Sequence, residues 1–334
     1  MKIIYFFFLC FNIFKQYKYK ISIIIPIYKG EKYLKDCLDS LVNQTLRNIQ
    51  IICINDESPD KSINIIKKYV QQDKRIILKN IKHASISETR NEGLKYVEGE
   101  YIGFIDDDDF IDKYQYEKMY EYAKKDDIDL LEFGYQKIGE NQRLKNLKYK
   151  IHYKDEKTND KIDGNVFNNL QNHVWDKIYR TDIVKKKKVK FIPNLGGEDL
   201  NFNLKFYPFV KKFKKIYSKT YFYRIKKKLL YIPKIYFFKN NNIFFSSLVE
   251  YYKKNKINKS NPKFCLELMI ISYKKLFWKK YYYKREYLNN FFLSLKKLNI
   301  KKEIIEKISI ELKNFYFDIK NKYKKFNFKI KNDL

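Results

Sequence analysis

Cysteine, histidine, proline and glycine are all scarce in this chain, with four, three, six and nine copies among 334 residues. The cysteines, Cys10, Cys37, Cys53 and Cys265, lie far apart and form no CxxC pair. That spacing excludes a disulfide framework and a thiolate zinc site, and it fits a reducing compartment. None of His83, His152 and His173 stands at metal-ligand spacing from another. Any metal here must therefore be held by oxygen. No run of about 20 apolar residues occurs, so no segment reads as a membrane-spanning helix. The apolar stretch Ile3–Phe14, broken by Asn12, follows Lys2 and resembles a signal-peptide core. It is too short to span a bilayer, no small-residue cleavage site follows, and a strand begins at Ile21. Residues 1–19 read as a shallow membrane-contacting segment or a misassigned start.

Acidic residues are missing from one end only. Residues 205–334 carry 35 lysines and arginines against eight acids, whereas residues 1–204 carry 36 against 31. The formal charge of +32 would suit a nucleic acid or an anionic membrane surface. AT-rich coding accounts for part of the lysine excess, but not for its confinement to the back of the chain.

What is present is an α/β pattern. Ile21–Pro26 reads as a buried strand, and Tyr33, Leu34, Cys37, Leu38, Leu41 and Val42 then recur at helical spacing. Ile49–Ile54 leads likewise into a helix over about Ser62 to Gln71. A short strand over Arg75–Leu78, a helix over Ser87–Val97 closed by Gly99, and a strand over Tyr101–Ile105 follow. Apolar strands joined by helices imply parallel crossovers and a doubly wound, mostly parallel sheet. Ligands of such sheets sit beyond the carboxyl ends of the strands. Residues 136–165 read as a polar, irregular surface insertion, and the chain beyond about 240 as a helical region rich in Lys, Phe and Tyr.

Four chemical signals stand on this scaffold. Asp106, Asp107, Asp108 and Asp109 end an apolar strand, where they repel one another unless a divalent cation compensates them; the alternative is a solvated acidic loop. Asp56, in Asn55-Asp56-Glu57-Ser58, either receives a nucleobase N–H or caps the next helix. Arg90, in Arg90-Asn91-Glu92-Gly93, suits bidentate contact with a diphosphate or makes a surface ion pair. Glu198 and Asp199 follow Gly196-Gly197 and either deliver a general base or complement a helix dipole.

Read in order, Ile23–Tyr28, Asn55–Ser58, Ser87–Gly93, Phe104–Phe110, Val174–Tyr179 and Gly197–Asp199 resemble the inverting glycosyltransferase family 2 over about residues 20–225. The resemblance implies a GT-A fold over 20–225, with a helical, basic C-terminal extension over 226–334. It implies that Pro26, Ile27 and Tyr28 line the base pocket, that Asp56 holds the nucleobase, and that Arg90 lies near the diphosphate. Asn55 and Glu57 depart from the family, which often has Asp and Gly there. Asp106 and Asp108 match the family's DxD motif, Asp106 toward ribose or the metal shell and Asp108 on Mn²⁺ or Mg²⁺. Asp107 lies in the same nucleotide-sugar site, without a separate role. Asp199 matches the acid that deprotonates the acceptor hydroxyl, with Glu198, Trp175 and Lys177 on the acceptor side and Arg224 as a weaker site residue.

The implied reaction is transfer of one hexosyl or N-acetylhexosaminyl group from a UDP-sugar to a glycan or lipid-linked acceptor. The QxxRW motif of processive synthases is absent. Interleaved lysine and aromatic runs such as Lys226-Lys227-Lys228, Lys279-Lys280 and Tyr281-Tyr282-Tyr283 favour peripheral contact with an anionic membrane over nucleic acid, on the cytoplasmic side. A nucleotidyltransferase would carry a Gly-rich phosphate loop after its first strand, and Pro26-Ile27-Tyr28-Lys29-Gly30 is not one. A noncatalytic basic binding protein is the remaining alternative.

Overall fold

The computed structural model describes residues 17–82, 84–146, 153–155, 164–226, 241–278 and 285–298, together with 303, 304, 306 and 308. The expectations for residues 1–16, His83, His152, Lys227, Lys228, Lys279, Lys280 and Tyr281 to Tyr283 lie outside those residues. The chain opens with β1 (Tyr19–Ile27), α1 (Leu34–Val42), β2 (Ile49–Asp56), α2 (Ser62–Gln72), β3 (Ile76–Ile81), α3 (Ile86–Lys95) and β4 (Gly99–Phe104). It continues through β5 (Phe110–Ile111), α4 (Gln115–Lys125), β6 (Leu130–Gly139), β7 (Lys154–Asp155), α5 (Gly164–Asn169), β8 (Lys177–Arg180), α6 (Thr181–Lys186), α7 (Glu198–Phe206) and β9 (Phe213–Ile225).

The strands form a sheet in the order β3-β2-β1-β4-β8-β6-β9-β5, with β7 paired to β9. The first four are parallel, as the apolar runs imply. All eight residues of β2 are buried, as are Ile21, Ile23, Ile24, Ile25 and Ile27 of β1. Coverage of both faces is what a continuous β-branched run requires. α1 buries Leu34, Cys37, Leu38 and Leu41 on one stripe. β8 runs antiparallel to both β4 and β6, and β6 is parallel to β9. The second half of the sheet is thus mixed. β6 also runs to Gly139, into the region read as irregular, because its end is paired with β9.

The register fixes where chemistry can collect. Ile24 lies beside Phe104, and Ile27 beside Asn55. Tyr28, Asp56 and Asp106 therefore emerge at one carboxyl edge, the position where open α/β sheets bind ligands.

The described residues form two compact units: the sheet with its helices, and a second unit containing residues 164–168, 195–197 and the chain beyond the sheet. The latter includes α8 (Asn241–Lys254), α9 (Ile257–Ser260), α10 (Pro262–Trp278) and α11 (Arg285–Lys297). It buries Phe244, Phe245, Leu248, Tyr252, Leu268, Phe291 and Leu295. Among the described residues no helix is long and apolar enough to cross a membrane.

One irregularity directs β9 toward the site. Phe133 pairs with Ile216 but Tyr135 pairs with Tyr221, so β9 bulges opposite Gly134. A Cβ on Gly134 would lie 2.1 Å from the backbone oxygen of Ser218. Only glycine permits that approach. Gly134→Ala should cost about 1–3 kcal/mol, the usual range for overpacking, with urea unfolding as the measurement; an unchanged midpoint would show that the bulge yields freely.

Candidate active site at the carboxyl edge of the sheet

The aspartates after β4 point to four different partners. Asp109 is fully buried: its Oδ2 accepts the Tyr221 hydroxyl at 2.7 Å and its Oδ1 accepts the Arg224 backbone N–H at 2.7 Å. Burial, with the charges of Asp108 and Asp106, pushes its carboxyl well up. Asp107 accepts the backbone N–H of Tyr28 at 3.2 Å, and burial, then Asp108 and Asp106, push it up to about 8. Asp106 meets Arg90 Nη2 at 3.1 Å. Its carboxyl is raised chiefly by burial, against the pull of Arg90. Asp108 meets the Lys226 ammonium at 2.6 Å.

Arg90 reaches this edge from α3, whose start is fixed by a reciprocal capping box between Ser85 and Glu88. Its side chain is 2% exposed. Besides Asp106, its Nη1 contacts Asp199 at 2.7 Å and Glu198 at 3.4 Å, and its guanidinium lies 5.4 Å from the centre of the Phe191 ring. Burial opposes the guanidinium's charge, but the fields of Asp199, Asp106 and Glu198 overcome it and raise its pKa. The sequence reading aimed Arg90 at a diphosphate or a surface ion pair. The structure rules out the surface ion pair and makes Arg90 the buried junction of three carboxylates.

Asp199 and Glu198 form the first turn of α7, entered through Gly197 at φ 80, a left-handed conformation suited to glycine. Asp199 Oδ2 also accepts the Val174 backbone N–H at 3.3 Å. Burial raises this carboxyl to about 6, in opposition to Arg90 and with Glu198 adding to the rise. That value suits a group that takes a proton near neutral pH.

On the other side of the edge, Pro26 and Ile27 are buried and Tyr28 is 42% exposed. Asp56 is buried and its Oδ1 accepts the Ala84 backbone N–H at 2.7 Å. Asn55 donates to Asn80 at 3.0 Å, while its own side-chain oxygen is buried without a hydrogen-bond partner among the described residues. Glu57 takes φ 45, the left-handed region where glycine is easier. The loops after β1 and β2 are tied together by Gly30 N–H to Ser62 Oγ at 3.0 Å and Glu31 N–H to Asp60 Oδ2 at 3.0 Å.

Two residues read as acceptor-side occupy different environments. Trp175, 3% exposed, stacks with the rings of His173 and Tyr221, each 4.5 Å away, and with Tyr223 at 5.3 Å. Its contribution is the platform beneath the partly exposed His173 and Tyr223. Lys177 is not presented to a cleft. Its ammonium is fully buried, 2.6 Å from Asp176 and 3.0 Å from Glu132, and its charge is consumed inside the fold. Arg224 is also buried, with Nε on the Asp108 carbonyl at 2.7 Å and Nη2 3.4 Å from Asp36. Lys226, read as part of a membrane-facing lysine run, lies instead at this site against Asp108, and the part of Tyr221, whose hydroxyl partner is distant in sequence, is not foreseen.

The model of glycosyl transferase family 2 matches residues 22–186. A protein of Bacillus subtilis (strain 168), the uncharacterized glycosyltransferase EpsJ, is 30% identical over 209 residues, covering 61% of this chain and 60% of that one. The poly(ribitol-phosphate) beta-glucosyltransferase of Bacillus spizizenii is 29% identical over 213 residues, covering 62% of this chain and 32% of that one. The chain thus spans less than two thirds of the length of these curated relatives. The crystal structure of S. aureus TarS 1-349 in complex with UDP-GlcNAc matches with a TM-score of 0.59 at 18% identity, over 83% of this chain and 81% of that one. The shared fold is the GT-A fold. With the family model matching from β1 through α6 and that fold in common, residues 22–186 are a glycosyl transferase family 2 domain.

Proposed function

We propose that this protein transfers a single sugar, with inversion, from a UDP-sugar to a hydroxyl of a glycan or lipid-linked acceptor in the assembly of a bacterial surface polymer. The observation that carries this is Asp199: a carboxylate raised to about 6, held by Arg90 and by a backbone N–H beside the aspartate run. Surface-polymer assembly is supported by relatives such as the poly(ribitol-phosphate) beta-glucosyltransferase. A UDP-sugar donor is supported by the TarS complex with UDP-GlcNAc.

Asp199 takes the proton of the acceptor hydroxyl, and the oxygen attacks the anomeric carbon from the face opposite the nucleotide. The bond to the diphosphate breaks as the new glycosidic bond forms, so configuration inverts in one displacement. Arg90 keeps the base ionised and oriented until the hydroxyl arrives. Asp56 and the β1 end at Pro26, Ile27 and Tyr28 receive the nucleobase, and Asp106 and Asp107 face the rest of the donor. The acceptor lies over the edge of the stack built on Trp175, next to Glu198.

Among the described residues no three His, Cys, Asp or Glu side chains converge as a ready-made metal cage. Carboxylate oxygen is nevertheless the donor type that Mg²⁺ and Mn²⁺ accept, and Mg²⁺ commonly takes one or two carboxylates and completes its shell with substrate phosphates. Asp108 fits that role, since its partner is an exchangeable ammonium rather than the fold. A cation there would neutralise charge on the departing diphosphate.

Peripheral contact with an anionic membrane on its cytoplasmic face belongs to the same reading. Lys253, Lys254, Lys256 and Lys259 are exposed beside buried Tyr252 and Ile257. Each cation near the headgroups contributes about 1 kcal/mol.

Three measurements test the reading. With a panel of sugar nucleotides and Mn²⁺, Asp199→Asn should lower turnover by about 10²–10⁴-fold, the range for general-base loss, while UDP binding persists; wild-type protein that neither turns over nor binds any donor would falsify the assignment. The kcat/KM of the wild type should fall as pH drops below about 6, because the protonated carboxyl cannot accept the hydroxyl proton; a profile flat down to about pH 5 would remove Asp199 as the base. Arg90→Met leaves three carboxylates without their cation and should cost about 3–5 kcal/mol. Without Arg90 the folded-state pKa values of Asp106 and Asp199 rise further above those of the unfolded chain, so stability is lost as pH rises through them. Urea unfolding should therefore show a larger penalty at about pH 8 than at about pH 5.

A further inference from the structure

Three cations contact the aspartate run among the described residues, and they differ in freedom. Arg90 is 2% exposed and committed to Asp106, Glu198 and Asp199. Arg224 is fully buried, and its guanidinium hydrogen-bonds the carbonyls of Asp108, Glu140 and Gln142 while meeting Asp36. Lys226 is 52% exposed and holds only the Asp108 carboxylate, with its ammonium 5.5 Å from the Tyr33 ring centre. The root of the Lys226 side chain is fixed two residues earlier, where the Arg224 N–H is bonded to Asp109. Its tip is a flexible four-carbon stem with a hydrated point charge.

We propose that Lys226 is an exchangeable counter-ion: it neutralises Asp108 in the nucleotide-free protein and moves onto the donor's diphosphate when a divalent cation takes its place. The proposal rests on the reading of Asp108 as the metal ligand. The Asp108 carboxylate is 20% exposed and stands beside Asp106, Asp107 and Asp109, so it needs a positive partner at all times. An ammonium and a divalent cation repel each other, so they compete for its oxygens. Displaced, Lys226 finds new negative charge on the diphosphate that enters with the sugar, within the sweep of the same stem. Metal without nucleotide then has to compete with Lys226, whereas nucleotide gives the lysine somewhere to go. Metal and diphosphate therefore favour each other, and by linkage the coupling is reciprocal.

The experiment measures Mn²⁺ binding to the full chain through the paramagnetic signal of free Mn²⁺, with and without UDP, in wild type and in Lys226→Met, Lys226→Arg and Asp108→Asn. Without UDP, Lys226→Met should bind Mn²⁺ about five- to tenfold more tightly than wild type, within the usual span of coupling between sites. Saturating UDP should shrink that advantage, and Lys226→Met should bind UDP alone more weakly. Lys226→Arg, which keeps the charge, should stay near wild type, with far-ultraviolet circular dichroism confirming that every variant is folded. If Lys226→Met has wild-type Mn²⁺ affinity and wild-type coupling while Asp108→Asn loses Mn²⁺, the counter-ion role is wrong and the metal ligand stands. If Asp108→Asn binds Mn²⁺ as wild type does, the metal reading fails and takes the counter-ion with it.

Discussion

The guanidinium of Arg90 is 2% exposed, and a cation buried to that extent persists only where opposite charge and hydrogen bonds replace its lost water. Here the replacement comes from Asp106 after β4 and from Glu198 and Asp199 at the start of α7. One side chain on α3 thereby fixes two segments far apart in sequence. The proposed base does not owe its position to its own helix alone. It exists as a poised group only when α3, the end of β4 and α7 are assembled, and its value of about 6 is the residue of two opposed effects, burial upward and Arg90 downward.

A second set of bonds fixes the other end of the run. Asp109 accepts from the Tyr221 hydroxyl and from the Arg224 backbone, both on β9. β9 arrives there because its bulge opposite Gly134 shifts the pairing between Phe133 and Tyr135. The stack of His173, Trp175, Tyr221 and Tyr223 then lies against the same strand. Sheet register, aromatic packing and the placement of the acids are thus one constraint seen at three scales.

Much of the first half of the fold was legible because its strands are buried on both faces. Ile21–Pro26 and Ile49–Ile54 have no polar alternation, and that pattern alone implies parallel crossovers. The carboxyl-edge location of Asp56 and Asp106 followed from it. No strand is foreseen over Leu130–Gly139, and Gln136 and Lys137 look like loop residues; their strand conformation comes from pairing with Phe222 and Tyr223, which no local pattern reveals. The same blindness to distant partners explains the cations. Arg90 on a helix says nothing of the carboxylates opposite it, and Lys177 reads as an acceptor-side residue until Glu132 closes on it from the neighbouring strand. Lys226 was concealed by composition, since a lysine in a lysine-rich tail carries almost no information by itself.

The four aspartates show why a run of like charges can be stable and still serve chemistry. Consecutive residues in a turn point in different directions, so each acid is held by a different part of the protein. Asp109 is held by backbone and tyrosine, Asp107 by the Tyr28 backbone, and Asp106 by a buried arginine. Each of these partners belongs to the fold and cannot leave without dismantling it. Asp108 differs, because its partner is the half-exposed tip of a lysine. Charge can be exchanged at that one carboxylate while the other three stay in place, so ligand exchange at the edge of the sheet and the stability of the sheet are physically separable.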